Sequence, residues 1–484
     1  MRKLKMVRKF LSMYLLFPVV VLLLTPSAGY SLISEDQLLD RTFRIDISTI
    51  TVSFDYFPWE YYVDCRAVVE FTMRPGQSRP VIHLAPAIRD SNVVNSITLN
   101  GEALNFSDES DVRIIGFEGT TQQAIEFQRD LEADTVHTLD ISYRLTLPEG
   151  YPRFSSKVHD LEGRGNEELF PTINTPHELA RHFLTFRVHS DTPFRCIGSE
   201  LMMETFSTVQ EWSLDTEREL ASYTVMFVLM PEEDTILEER IIGGVHVRIM
   251  AYIGGASIDT AFDRLEQWLP ELETNLGPFP MPRGLSIFLV SSGATRGGGM
   301  EYYGGTITTL GALEHEVFHL YYGCSTVNKT FRDSWMDEAI TMWYENSVDP
   351  EYSPIPENYM SNIVSGRSPI AVGFDRRAYT KGAQIMEAVA RELGGRAEMI
   401  AFLSYVHGNY SFTPFTTLDF LDYLRDYSGV DMTDRFLNWL YMGDETGYAA
   451  GPASRRSSHE DEVDMTPPEG LLKKYGIYNK RRPK

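Results

Sequence analysis

The sequence predicts an α+β protein, with an antiparallel β saddle or sandwich domain first and a mainly helical domain after it. Two observations carry this. The hydrophobic period is two from about Arg41 to Met230, and it changes to that of helices after Gly243. The chain has 484 residues, 43% of them hydrophobic, which is more than one typical domain needs and enough for two or three.

In the first half, Phe43-Arg44-Ile45-Asp46-Ile47 alternates, and Leu139 to Leu147 places Ile141, Tyr143 and Leu145 on one face. Further β-rich runs lie at Val68–Met73, Phe183–Val188 and Tyr223–Leu229, separated by Gly, Pro, Asn and Asp. These define a β domain over residues 31–237. In the second half, Ile258, Ala261, Phe262, Leu265, Leu269, Leu272 and Leu276 mark an amphipathic helix, closed by Gly277 and expected to kink at Pro270. The β-rich stretch Leu285–Val290 leads into Gly297-Gly298-Gly299, and helical patterning dominates from Ala312. The last clear helices are Leu418–Tyr427, stopped by Gly429, and Met432–Tyr441. The second domain therefore spans residues 238–447, followed by a polar tail over 448–484.

Residues 1–29 have the layout of a secretory signal peptide. Arg2, Lys3, Lys5, Arg8 and Lys9 precede the apolar run Phe10–Leu24 and the small-residue stretch Pro26-Ser27-Ala28-Gly29. Export to the periplasm, cell surface or medium is expected. The alternative is an uncleaved anchor, disfavoured by a run short for a span and interrupted by Pro18. No later segment is apolar enough to span a bilayer. A formal charge of −24 argues against a nucleic-acid partner, which requires clustered Lys and Arg. Three cysteines lack the paired spacing of a zinc ribbon; Cys65 with Cys196 could bridge, and Cys324 reads as a small buried residue. Asn105, Asn328 and Asn409 sit in N-x-Ser/Thr triplets.

The sharpest chemical signal is His315-Glu316-Val317-Phe318-His319. Positions i and i+4 share a helix face, so both imidazoles can reach one zinc ion, with Glu316 beside them to take a proton from water. Two His leave room for a third protein ligand, and Glu338, in the helical segment Trp335-Met336-Asp337-Glu338-Ala339, can supply it. Glu345 lies two turns further on the same face and could orient a ligand histidine, although such a residue alone is more often a surface charge.

With these residues in place, the chain resembles the gluzincin zinc aminopeptidases, the family of aminopeptidase N and leukotriene hydrolase. His315 through Leu320-Tyr321-Tyr322-Gly323 to Glu338 follows that family's pattern. Gly298-Gly299-Met300-Glu301-Tyr302 matches its G-x-M-E-N signature except at the last position, and Tyr379-Thr380-Lys381-Gly382 matches Y-x-K-G. Phe170-Pro171-Thr172-Ile173-Asn174-Thr175-Pro176 resembles its F-P-C-x-D-E-P segment, and Phe436-Leu437-Asn438-Trp439-Leu440 resembles the end of its catalytic domain. The resemblance implies a thermolysin-like catalytic domain and a shortened form without the family's C-terminal helical domain, with a more open site. It implies substrate binding by Gly298, Gly299 and Met300, and amine binding by Glu301 with help from Glu162. It also implies oxyanion stabilisation by Tyr379. Tyr302 in place of Asn is expected to reshape the specificity pocket.

The combined expectation is a zinc aminopeptidase acting on peptides with a free N-terminus. One Zn2+ is held by His315, His319 and Glu338, and Glu316 is the general base. Three rivals stay open: a glycyl-aminopeptidase-like enzyme (Gly311-Ala312-Leu313-Glu314-His315 partly echoes its signature), an endopeptidase, and an inactive binding protein of the same fold.

Overall fold

The computed structural model describes residues 31–33, 44–75, 79–84, 93–117, 123–147, 149–150, 152–156, 169–173, 175–199, 203–206, 209–291, 298–331, 333–345, 354–359 and 377–441. The expected signal segment, the C-terminal tail and Glu162 lie outside these residues.

The N-terminal half is built on an eight-stranded sheet in which Leu179–Val188 and Ile45–Phe57 run parallel and every other adjacent pair is antiparallel. The period of two explains its packing. Along Ile45–Phe57 the residues Ile45, Ile47, Ile50, Val52, Phe54 and Tyr56 are buried, and their neighbours look outward. That buried face meets a four-stranded sheet containing Val112–Phe117 and Gln123–Phe127. Phe54, Phe154, Phe186 and Phe227 fill the centre, with ring centroids 4.6–6.4 Å apart. Phe227 belongs to a third sheet, of Phe154–Ser155, Phe227–Pro231 and Phe194–Gly198.

Cys65 and Cys196 are both buried and are not joined in a disulfide, so the bridge weighed from sequence is absent. Each is packed as a small apolar residue in the β-domain core.

The C-terminal half begins with a five-stranded sheet: β1 (Thr235–Ile242), β2 (Val245–Tyr252), β3 (Leu285–Val290), β4 (Gly299–Tyr302) and β5 (Gly305–Thr309), in the order β1-β2-β3-β5-β4. All six residues of β3 are buried, as a strand covered on both faces requires. Leu285, Ile287 and Leu289 face the helical core, while Phe288 and Val290 face the β domain.

Helix α1 (Ile258–Leu276) opens on Ser257, whose side chain accepts the Thr260 N–H, and ends at Gly277. It runs through Pro270 to the end expected from the sequence. The apolar stripe from Ile258 to Leu276 is buried along the full length of the helix, and that packing outweighs the lost hydrogen bond.

Five of the remaining helices build the rest of this core around the short α2 (Leu313–Phe318). They are α3 (Trp335–Glu345), α4 (Arg377–Leu393), α5 (Arg396–Tyr410), α6 (Thr417–Ser428) and α7 (Thr433–Tyr441). In α6 a Thr416/Asp419 capping box starts the helix and Gly429, at φ 75°, stops it. Among the described residues no helix is long and apolar enough to cross a membrane. Asn328 is buried and donates to Asp337 at 2.8 Å, so that triplet is a structural feature in the folded chain; Asn105 and Asn409 are exposed.

Candidate metal centre and active site

Helix α2 is only six residues long, and His319 is its C-cap, still in a right-handed helical conformation. The His319 N–H reaches the His315 carbonyl at 3.2 Å, which keeps the i, i+4 relation that puts both imidazoles on one side. Helix α3 lies against them. The His315 Nε2 to Glu338 Oε2 distance is 3.1 Å, His319 Nε2 to Glu338 Oε2 is 3.5 Å, and the two Nε2 atoms are 3.1 Å apart. Ligand atoms at 2.0–2.1 Å from a tetrahedral zinc stand roughly 3.3 Å from one another, so this donor set fits zinc in both identity and spacing.

The rings are held from behind. Nδ1–H of His315 donates to Glu345 at 2.9 Å, and Nδ1–H of His319 donates to the Tyr322 carbonyl at 3.0 Å. Both arrangements direct Nε2 toward the shared point. Thr341 Oγ1 also lies 3.2 Å from His319 Nδ1. Neither Thr341 nor the Tyr322 carbonyl is singled out by the motif. Thr341 was nonetheless legible, since Glu338, Thr341 and Glu345 follow one face of α3 at helical spacing.

Glu316 points to the other side. Its carboxylate is buried, and Oε2 has no hydrogen-bond partner among the described residues. A buried carboxylate oxygen left without a protein partner is suited to a group brought from outside. Burial raises its pKa to about 8, against the opposing pull of the His315 charge. The glycine at position 299 is explained here, because a Cβ on Gly299 would overlap the Glu316 side chain.

Edge strand β4 carries Glu301 on the same face as Gly299, and its carboxylate lies within 4.8 Å of ligand-type atoms of Glu316 and His319. Met300 and Tyr302 point the opposite way, because neighbours on a strand alternate faces. Of the residues expected to bind substrate, Glu301 and Gly299 therefore face the metal point. Gly298 contributes a carbonyl to the Thr309 N–H, and Met300 packs toward the β domain. Tyr302 does not form a wall of the site. It is buried behind it, with its hydroxyl bonded to Ser156.

Tyr379 comes from α4, which approaches α3 closely because Gly382 faces Ala339 where a Cβ would stand 2.6 Å from the alanine methyl. The Tyr379 hydroxyl donates to Glu338 Oε1 at 2.9 Å, beside the shared point. Burial lowers the His319 pKa, but the carboxylates of Glu301 and Glu338 outweigh it and hold it at about 10. His315 is likewise opposed by burial and lifted to about 12 by Glu338 and Glu345. The negative field that raises both imidazoles also attracts a divalent cation.

No protein-family model and no curated protein matches the sequence. Solved structures do match. The M1 zinc metallopeptidase of Deinococcus radiodurans aligns with a TM-score of 0.61 at 17% identity, over 84% of this chain and 96% of that one. A mutant of that enzyme has been solved with a Tyr-Ser-Ala substrate. Yeast LTA4 hydrolase aligns at 0.63 and 15% identity over 83% and 68%, and Legionella pneumophila aminopeptidase A at 0.64 and 14% over 82% and 49%.

The chain has the M1 zinc metallopeptidase fold. The Deinococcus enzyme is described as a two-domain M1 zinc metallopeptidase, and one alignment covers 96% of that chain. Within this M1 fold, His315, His319 and Glu338 form the candidate metal site.

Proposed function

We propose that this chain is an exported zinc aminopeptidase that removes N-terminal residues from peptides. The observation that carries the reading is the convergence of His315, His319 and Glu338, with Glu301 and Glu316 gathered beside His319. The Tyr-Ser-Ala complex of a protein of similar fold supports a peptide substrate.

His315, His319 and Glu338 would hold the zinc ion, which when bound supplies a Lewis acid that polarises the scissile carbonyl and lowers the pKa of a water. Glu316 takes the proton from the attacking water and returns it to the leaving amine, and its raised pKa suits both transfers. The Tyr379 hydroxyl, already a donor at this point, is placed to stabilise the developing oxyanion. Glu301 pairs with the substrate's α-ammonium and fixes the first peptide bond at the site. Export rests on the basic and apolar N-terminal segment.

The test compares aminoacyl anilides with their N-acetylated forms, with and without a chelator. Free-amine substrates should be hydrolysed in a chelator-sensitive manner, and acetylated ones poorly. Glu301→Ala should lower activity on free amines by roughly ten- to a hundredfold, the effect of leaving one partner of a charge-assisted bond unpaired. Equal cleavage of acetylated and free peptides would instead identify an endopeptidase.

A further inference from the structure

This inference rests on the reading of Glu301 as the amine-binding residue. We propose that the β domain sets the position of Glu301, with Tyr302 and the turn Ser222–Thr224 acting as positioning residues for recognition of the amine.

Little holds β4 in its own sheet. It is an edge strand of four residues with one ladder partner, β5, and such a strand is weakly fixed by main-chain pairing alone. On the Gly299 side it rests against Glu316 of α2, and on the opposite side its support comes from the β domain. Tyr302 is buried in a cluster with Ile197, Met226 and Val228. Gly305, its ladder partner, lies so close to Met226 that a Cβ there would stand 2.8 Å from the thioether sulfur. The Tyr303 N–H, two residues after Glu301, donates to the Thr224 carbonyl at 2.8 Å. The hairpin that presents Glu301 is thus pressed and bonded from behind by β-domain residues.

The turn is itself anchored. The Ser222 hydroxyl is bonded to Thr172 Oγ1 and lies 2.9 Å from His182 Nε2, and all three side chains are buried. Thr172 is tied to His83 by two main-chain hydrogen bonds, of 2.8 and 3.0 Å. The metal-binding side chains belong to α2, its cap and α3, which pack in a different core. Loosening the anchor should therefore degrade amine recognition and leave the metal site in place.

The experiment uses the full-length, zinc-loaded protein and the variants Ser222→Ala, Tyr302→Leu and Tyr302→Phe. Zinc content, Tm and the ratio of kcat/KM on a free-amine anilide to that on its acetylated form are measured. The ratio should fall by about ten- to a hundredfold in Ser222→Ala and Tyr302→Leu, as for a misplacement on the ångström scale, mostly through KM and with zinc retained. Tyr302→Phe keeps the ring packing and should keep most of the ratio. An unchanged ratio in the folded Ser222→Ala and Tyr302→Leu proteins overturns the proposal. So does a parallel loss on both substrates, which marks a merely structural role. A ratio unaffected by Glu301→Ala would overturn the amine reading itself, a result separable from these.

Discussion

The two halves of the molecule treat buried polar groups in opposite ways. In the β domain they close on one another or on the backbone: Ser222 joins His182 and Thr172, and Glu178 accepts the Ile47 N–H. Apart from a few separate buried acids such as Glu126 and Glu178, its charges lie on the outer face, where pairs such as Arg66–Asp140 and Arg144–Asp64 link neighbouring strands in solvent. In the C-terminal half, Glu316, Glu338 and His319 are buried within one small region, and Asp337, His315 and Glu301 adjoin them. Concentrating like charges away from water costs stability unless something pairs them. The first arrangement serves the fold, and the second is the one that the proposed zinc chemistry requires.

The comparison breaks most sharply at Glu316. Glu316→Gln keeps shape and should keep metal while losing the proton acceptor, so turnover should fall by about 10²–10⁴-fold. Near-normal turnover in a zinc-replete variant would show that the buried carboxylate does no chemistry. A smaller effect is expected at Glu345, which only orients His315. Glu345→Gln should weaken metal affinity by about 10–100-fold, read by chelator competition, without abolishing activity at saturating zinc.

In the β domain the expected sensitivity is to acid. Burial lowers the pKa of His83 to about 4 and of His182 to about 3. The unfolded chain takes up these protons near pH 6.5 and the native state does not. There is no penalty above that pH, and stability falls as pH drops from about 6.5 toward 4 and 3. At pH 5 this amounts to about 2 kcal/mol for each imidazole. Urea unfolding at pH 7.5 and 5 should show a smaller acid loss in His182→Gln than in wild type; an equal loss would remove His182 from the account. Least of all should change in the exposed ladder. Arg66→Ala should leave the unfolding midpoint close to wild type, since exposed pairs contribute little.

Much of this contrast was legible in the sequence. Periodicity placed the strands and helices because each buries one face. The candidate metal residues His315, His319 and Glu338 were legible because a zinc site on helices would impose such spacings, and the fold brings the three together. What escaped was long-range. Nothing local says that Cys65 and Cys196 stay apart. The substitution at Tyr302 looked like a change in the specificity pocket, yet the alternation of β4 turns that side chain away from the site. Only the packing of the β domain against the sheet gives it a role.

The central claim is that the buried charges of the C-terminal half are built around a metal ion. Elemental analysis of the purified, zinc-exposed protein tests this most directly. The account predicts about one zinc per chain, lost in both His315→Ala and His319→Ala. A wild-type protein that takes up no zinc, or alanine variants that retain it at full occupancy, would contradict it.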